Sequence, residues 1–187
     1  MLSDNERYQK LLPIFNFLPN KCPNVYVAGG AAVDYDKASD VDLWFPKEGW
    51  QAAKDFLTQF KITQTRKIFK YDDYDSAKEK GTTYGNKDNL VLGEVYFGDA
   101  IKKLVQIIVT DKPTSLDLLN LFDISTHAIA VHADGKVVKC EKFTDPSQPP
   151  RILVYRSNTL SRYIKICNRY NHIPNIKYLT HLMNFSH

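Results

Sequence analysis

Apolar residues recur at helical spacing near the start of the chain. Tyr8, Leu11, Leu12 and Phe15 follow one another three or four residues apart, behind Ser3 as a cap and Glu6 as its capping-box partner. Pro13 predicts a kink or an early stop in this helix. The period then changes. Asn24–Ala28 is a short apolar strand running into Gly29-Gly30-Ala31-Ala32, and Asp40-Val41-Asp42-Leu43-Trp44-Phe45 opens with strict alternation of polar and apolar positions. Trp50, Ala53, Phe56, Leu57 and Phe60 restore helical spacing across Glu48–Phe60. Residues 61–70 read as a strand of basic and apolar residues, and 71–89, rich in Asp and Lys, as an exposed loop. Leu90–Phe97 and Lys103–Val109 read as strands, and Thr114 or Ser115 caps a short helix to about Phe122. Ser125–Val131 and Lys136–Cys140 form a hairpin around His132-Ala133-Asp134-Gly135, where Asp-Gly supplies the turn.

Strands and helices are therefore intermixed, with several strands close enough in sequence to pair antiparallel, which predicts an α+β domain: a mixed sheet flanked by helices. Pro146, Pro149 and Pro150 punctuate the chain before a last helical segment, in which Leu160, Tyr163, Ile164 and Cys167 share helical spacing. The charge changes at the same place. Six of the 25 Lys and Arg, and none of the 21 Asp and Glu, lie in residues 151–187, leaving a net −2 on residues 1–150 and +6 on the tail. The expected organisation is a core of residues 1–150 and a basic helical C-terminal segment of residues 151–187.

At 187 residues the chain has room for one domain with a small appendage. No apolar run approaches the roughly 20 residues of a membrane span, and the polar, acidic start is wrong for a signal or transit peptide. Three scattered cysteines, Cys22, Cys140 and Cys167, show neither a disulfide framework nor paired zinc-ligand spacing. They read as reduced thiols, and the expected location is cytoplasmic.

The chemistry concentrates between Val25 and Trp44. A strand running into Gly29-Gly30 and then a helix start lets a phosphate approach bare backbone N–H groups. Asp40 and Asp42, two apart on a strand, point to one face, while Val41 and Leu43 face the core. Two carboxylates side by side, with no Lys or Arg beside them on the strand, call for a cation between them. Hard oxygen ligands of this kind suit Mg²⁺, which completes its shell with water and substrate phosphates.

This arrangement resembles the nucleotidyltransferase superfamily typified by DNA polymerase beta, poly(A) polymerases and CCA-adding enzymes. The matching positions are Gly29, Gly30, Asp40 and Asp42, with Ser39 in a common place just before the first Asp. More loosely, Val105-Gln106-Ile107-Ile108, Phe122-Asp123-Ile124-Ser125 and the Thr159, Leu160, Arg162, Tyr163, Lys165 pattern look like small nucleotidyltransferase-like proteins of bacteriophages and large DNA viruses. The resemblance implies a nucleotidyltransferase-like fold, in the host cytoplasm if the chain is encoded by a phage or virus. It further implies an NTP substrate, two Mg²⁺ ions held by Asp40 and Asp42, and the triphosphate on Gly29-Gly30. Ser39, Arg162 and Lys165 would join in binding the nucleotide. An acceptor hydroxyl then attacks the α-phosphorus and pyrophosphate leaves.

One position departs from the pattern. The superfamily's third carboxylate would fall on Leu104–Val109, where Gln106 stands. Asp123 is the leading replacement, with Glu94 on the preceding strand as another, although Asp123 also fits a turn residue. Elsewhere His127 and His132 read as structural or surface residues, Asp72, Asp73, Asp75 and Glu79 as a solvated face, Trp44 and Trp50 as core or rim, and Tyr35 as a candidate base-stacking ring. The tail reads as a candidate clamp for a polyanion, its basic residues interleaved with Tyr155, Tyr163 and Tyr170.

The leading expectation is an Mg²⁺-dependent transferase moving an NMP from an NTP to a hydroxyl, with an RNA 3′ end such as that of tRNA favoured over a protein side chain or a small molecule. The rival expectations are a catalytically silent nucleotide- or RNA-binding module and an antitoxin-like protein acting on a host protein.

Overall fold

The computed structural model describes residues 2–18, 24–59, 62–65, 71–80, 89–97, 99 and 101–183. Cys22 and much of the expected 61–70 strand lie outside them. The helices are α1 (Asp4–Phe15), α2 (Gly30–Val33), α3 (Trp50–Thr58), α4 (Tyr74–Lys80), α5 (Ser115–Leu119), α6 (Thr159–Arg169) and α7 (Ile176–Met183). The strands are β1 (Tyr26–Ala28), β2 (Asp40–Pro46), β3 (Ile62–Thr65), β4 (Asn89–Tyr96), β5 (Leu104–Thr110), β6 (Ile129–His132) and β7 (Val137–Lys139). They form one mixed sheet in the order β3-β4-β5-β2-β1-β6-β7. Only β2 and β5 run parallel; every other pair is antiparallel. The α+β class with helices flanking a mixed sheet is thus present.

Alternation along β2 sorts its side chains. Val41, Leu43 and Phe45 are fully buried on one face with Leu11 and Ile14 of α1 and Phe56 and Leu57 of α3, forming the main core. Each such aliphatic or aromatic burial contributes roughly 1.5–3 kcal/mol. Asp40, Asp42 and Trp44 take the opposite face, where Tyr26, Ala28, Ile108 and α5 residues Leu118 and Leu119 make a smaller cluster. That second face is covered only in part, and the gap is the cleft described below.

Several elements depart from their sequence reading. Helix α1 runs two residues past Pro13 before it ends at Phe15, with Asn16 as its C-cap. The expected loop after residue 70 contains α4, started by the Asp73 carboxylate accepting from the Ser76 N–H at 2.7 Å. Tyr74 and Ala77 of α4 are buried, Tyr74 lying edge-on to Trp50. Their apolar surface outweighs the polarity of their neighbours. At residues 125–127 a 3-10 turn stands where a strand is expected, and pairing begins at Ile129.

The tail is folded onto the rest of the chain. Tyr163, Ile166 and Cys167 of α6 are buried with Ile124, and Ile152 bridges to Ile124 in antiparallel fashion. Cys140 and Cys167 are buried and free. Among the described residues no helix is long and apolar enough to cross a membrane.

Candidate functional site

The site grows from the end of β1. Gly29 has φ +82° and ψ −144°, a conformation open in practice only to glycine, and its N–H donates to the Ile129 carbonyl at 3.2 Å. The turn leads into α2, whose Ala31, Ala32 and Val33 pack in the main core, and leaves Gly29 itself at the polar face of β2, where a Cβ on it would sit 3.8 Å from Asp42 Oδ2. Gly30 is enclosed from the other side. A Cβ there would stand 3.4 Å from Arg169 Nη1 and 3.7–3.8 Å from the His127 ring.

Asp40 is exposed at the mouth, where it accepts from Ser39 Oγ at 2.9 Å, and Asp42 is half-buried behind it. Burial first, then the neighbouring Asp40 charge, push the Asp42 carboxyl up to about 7, with Arg162 partly offsetting both. The parallel register sets Gln106 beside Asp42, and the antiparallel one sets Glu94 beside Gln106. Gln106 Nε2 donates to Glu94 Oε1 at 2.7 Å. A carboxylate only accepts, so this bond commits the amide nitrogen and leaves the Gln106 carbonyl oxygen as its remaining ligand atom.

Opposite the carboxylates stands the basic edge of α6. Arg162, Lys165 and Arg169 follow at three- and four-residue spacing, so they share one side of the helix, and all three line the cleft with Gly29 and Gly30. The cleft has a volume of about 410 Å³. Its wall is fixed by Asp123, which is only 2% exposed. Arg162 Nη1 donates to both Asp123 carboxylate oxygens at 2.9 Å, and Thr159 Oγ1 donates to Oδ2 at 2.9 Å. Asp123 therefore stands at the cleft as the anchor of α6, with its oxygens already engaged, rather than beside Asp40 and Asp42 as a third open carboxylate.

His127 is the residue that sequence reasoning missed most clearly. The 3-10 turn aims it at Gly30, where it is 9% exposed and its Nε2 has no hydrogen-bond partner. Burial and the charges of Arg162, Arg169 and Lys165 lower its pKa to about 3, so it is neutral at physiological pH. Because the unfolded chain protonates near pH 6.5 and the folded one only near 3, acid favours unfolding across that interval. Urea unfolding at a series of pH values should show His127→Gln flattening the acid loss of stability, by up to about 1.4 kcal/mol per pH unit. Arg169 was legible only as tail charge, although it continues the face begun by Arg162 and Lys165.

Of the remaining candidates Arg156 lines the cleft, whereas His132, Tyr35 and Arg151 do not. His132 pairs with Ser115 Oγ at 2.7 Å. Tyr35 has Lys103 over its ring at 5.1 Å and does not line the cleft. Arg151 and Arg156 donate to the backbone carbonyls of Lys142 and Leu121.

Among the described residues no three His, Cys, Asp or Glu side chains converge as a metal site. The donor chemistry fits one hard cation: two adjacent carboxylates, one with its proton affinity raised by the other, and an amide oxygen beside them. A second ion would have no further carboxylate there beyond the engaged Asp123 and the hydrogen-bonded Glu94. No protein-family model matches the chain, and no curated protein matches it.

Proposed function

We propose that this chain is an Mg²⁺-dependent nucleotidyltransferase with a nucleotidyltransferase-like fold, transferring an NMP from an NTP to a hydroxyl acceptor. The observation that carries the reading is the pairing of opposite charges across one cleft. Asp40 and Asp42 project from β2 beneath a glycine turn, and Arg169, Lys165 and His127 face the same turn from the other side. A bound NTP with its metal matches both walls at once, and few other ligands carry both signs in that order.

In this reading Asp40, Asp42 and the Gln106 carbonyl oxygen hold Mg²⁺. When bound, the ion neutralises phosphate charge and lowers the pKa of the acceptor hydroxyl. The Gly29-Gly30 backbone admits the triphosphate, and Lys165 and Arg169 neutralise its distal oxygens. Neutral His127, with the Nε2 proton, donates to a phosphate oxygen. Arg162 holds α6 at the right height through Asp123 while its remaining N–H groups face the cleft, and Ser39 orients Asp40. An RNA 3′ end is the favoured acceptor, with a protein side chain as the other candidate.

Gln106 and the engagement of Asp123 favour a second reading, a nucleotide-binding module without transfer activity. The two separate in one experiment. Protein, Mg²⁺ and each α-labelled NTP are incubated with tRNA, with protein extract and with buffer, and binding of the same NTPs is followed by calorimetry. Label on an acceptor establishes transfer. Binding without label leaves the module, and absence of binding removes both.

A further inference from the structure

Beyond the phosphate end, the cleft continues along the sheet to Trp44 and Asn89. Trp44 Nε1 and Asn89 Oδ1 are both buried and have no hydrogen-bond partner, although the side chains are 7% and 9% exposed. A buried polar atom left unpaired costs about 1–3 kcal/mol, and such atoms in folded proteins ordinarily find a partner. Here one is a donor and the other an acceptor. They do not satisfy each other, because β5 lies between their strands.

The register defines the space. Trp44 pairs with Ile108 of β5, and on the far side of β5 Asn89 pairs with Thr110. Two strand spacings separate the backbones by about 9.5 Å, and Ile108 lines the floor between them. Leu118 and Phe122 supply apolar cover from the α5 side. A flat ring with apolar faces and a polar edge fits such a slot. Trp44 stands two residues beyond Asp42 on the same face of β2, about 6.8 Å along the strand. A ribose bridges that interval from a phosphate held near Asp42.

We propose that this inner end is the nucleobase subsite, in which Trp44 N–H and Asn89 Oδ1 bond an acceptor and a donor on the edge of a base lying over Ile108. The inference rests on the NTP reading above and adds to it where base preference arises. The base points into the sheet, so preference is set by two residues of the core domain and not by the tail. Every natural base offers an acceptor next to a donor, but at different depths along the ring. A fixed Trp–Asn pair therefore favours one NTP over the other three.

The test compares the four NTPs with inorganic tripolyphosphate, each with Mg²⁺, by calorimetry on the full chain. Trp44→Phe keeps the apolar ring and removes the N–H; Asn89→Ser is a second, small polar change that tolerates a folding defect in the first. Either substitution should weaken binding of the preferred NTP by about 5–10-fold, the loss of one hydrogen bond, and narrow the spread among the four. Tripolyphosphate affinity should be unchanged. In a Trp50→Phe background, where Trp44 is the sole tryptophan, the preferred NTP should shift its emission and tripolyphosphate should not. Equal affinity for NTPs and tripolyphosphate, with both variants indifferent, overturns the subsite while leaving the phosphate site standing. Equal weakening of tripolyphosphate and NTP binding by both variants assigns the pair a structural role and also overturns it. Failure of the wild-type chain to bind either ligand removes the NTP reading and the subsite with it.

Discussion

Asp42→Asn should leave the protein more stable and yet inactive. The two effects have one cause. In the absence of a cation, Asp42 and Asp40 repel across a half-buried space, and the Asp42 carboxyl is pushed up to about 7 from 3.8. Between those values the folded chain binds more protons than the unfolded one, so stability falls as pH rises through that interval and stays low above it. Asparagine removes the charge and the repulsion. At pH 8 without metal the variant should melt above the wild type, by about 2–4 °C for each kcal/mol relieved, and at pH 4 the two should coincide. Millimolar Mg²⁺ should raise the melting temperature of the wild type and not of the variant, because only the former binds it well. NMP transfer should fall by at least about 100-fold, more than the loss of a supporting second-layer contact. A variant less stable than the wild type at pH 8 would refute the account of Asp42 as a carboxylate waiting for a cation.

Arg162→Met should cost about 3 kcal/mol, because it leaves the buried Asp123 carboxylate with Thr159 as its one remaining side-chain donor. That corresponds to a fall of roughly 6–12 °C in melting temperature. The reverse change, Asp123→Asn, should cost less, since the Arg162 side chain is 40% exposed and water can solvate it. Asp123→Asn should leave Mg²⁺ affinity unaltered, measured by calorimetry at a temperature where the variant is folded. Loss of Mg²⁺ binding in Asp123→Asn, with stability intact, would return Asp123 to the metal and sink its assignment as an anchor. The double change Arg162→Met with Asp123→Leu should recover part of the lost stability, because no buried charge remains.

These two carboxylates also show how far the sequence could be read. Asp40 and Asp42 were legible because alternation along a strand is a local property: two residues apart means one face, whatever the rest of the chain does. The glycines were legible for the same reason, since a strand-to-helix turn is a local event. Asp123 was not. Its role depends on Arg162 and Thr159, 39 and 36 residues away, and nothing in its own neighbourhood distinguishes a metal ligand from half of an ion pair. His127 failed differently. A strand was expected across Ser125–Val131, but a single 3-10 turn rotates the imidazole toward Gly30. The helix α4 was hidden by the polarity of its exposed side, with only Tyr74 and Ala77 to mark the buried one.

The walls of the cleft come from opposite ends of the chain, the glycine turn and β2 before residue 47 and the basic edge of α6 after residue 158. On the ribosome, the acidic half is complete well over a hundred residues before its counterpart is synthesised. A nascent chain stopped before α6 carries the paired carboxylates without Arg162, Lys165 and Arg169 to face them. The cleft is therefore closed on its basic side only late in synthesis, when α6 docks, and proteolytic trimming behind α5 would remove that wall while sparing strands β1 to β5.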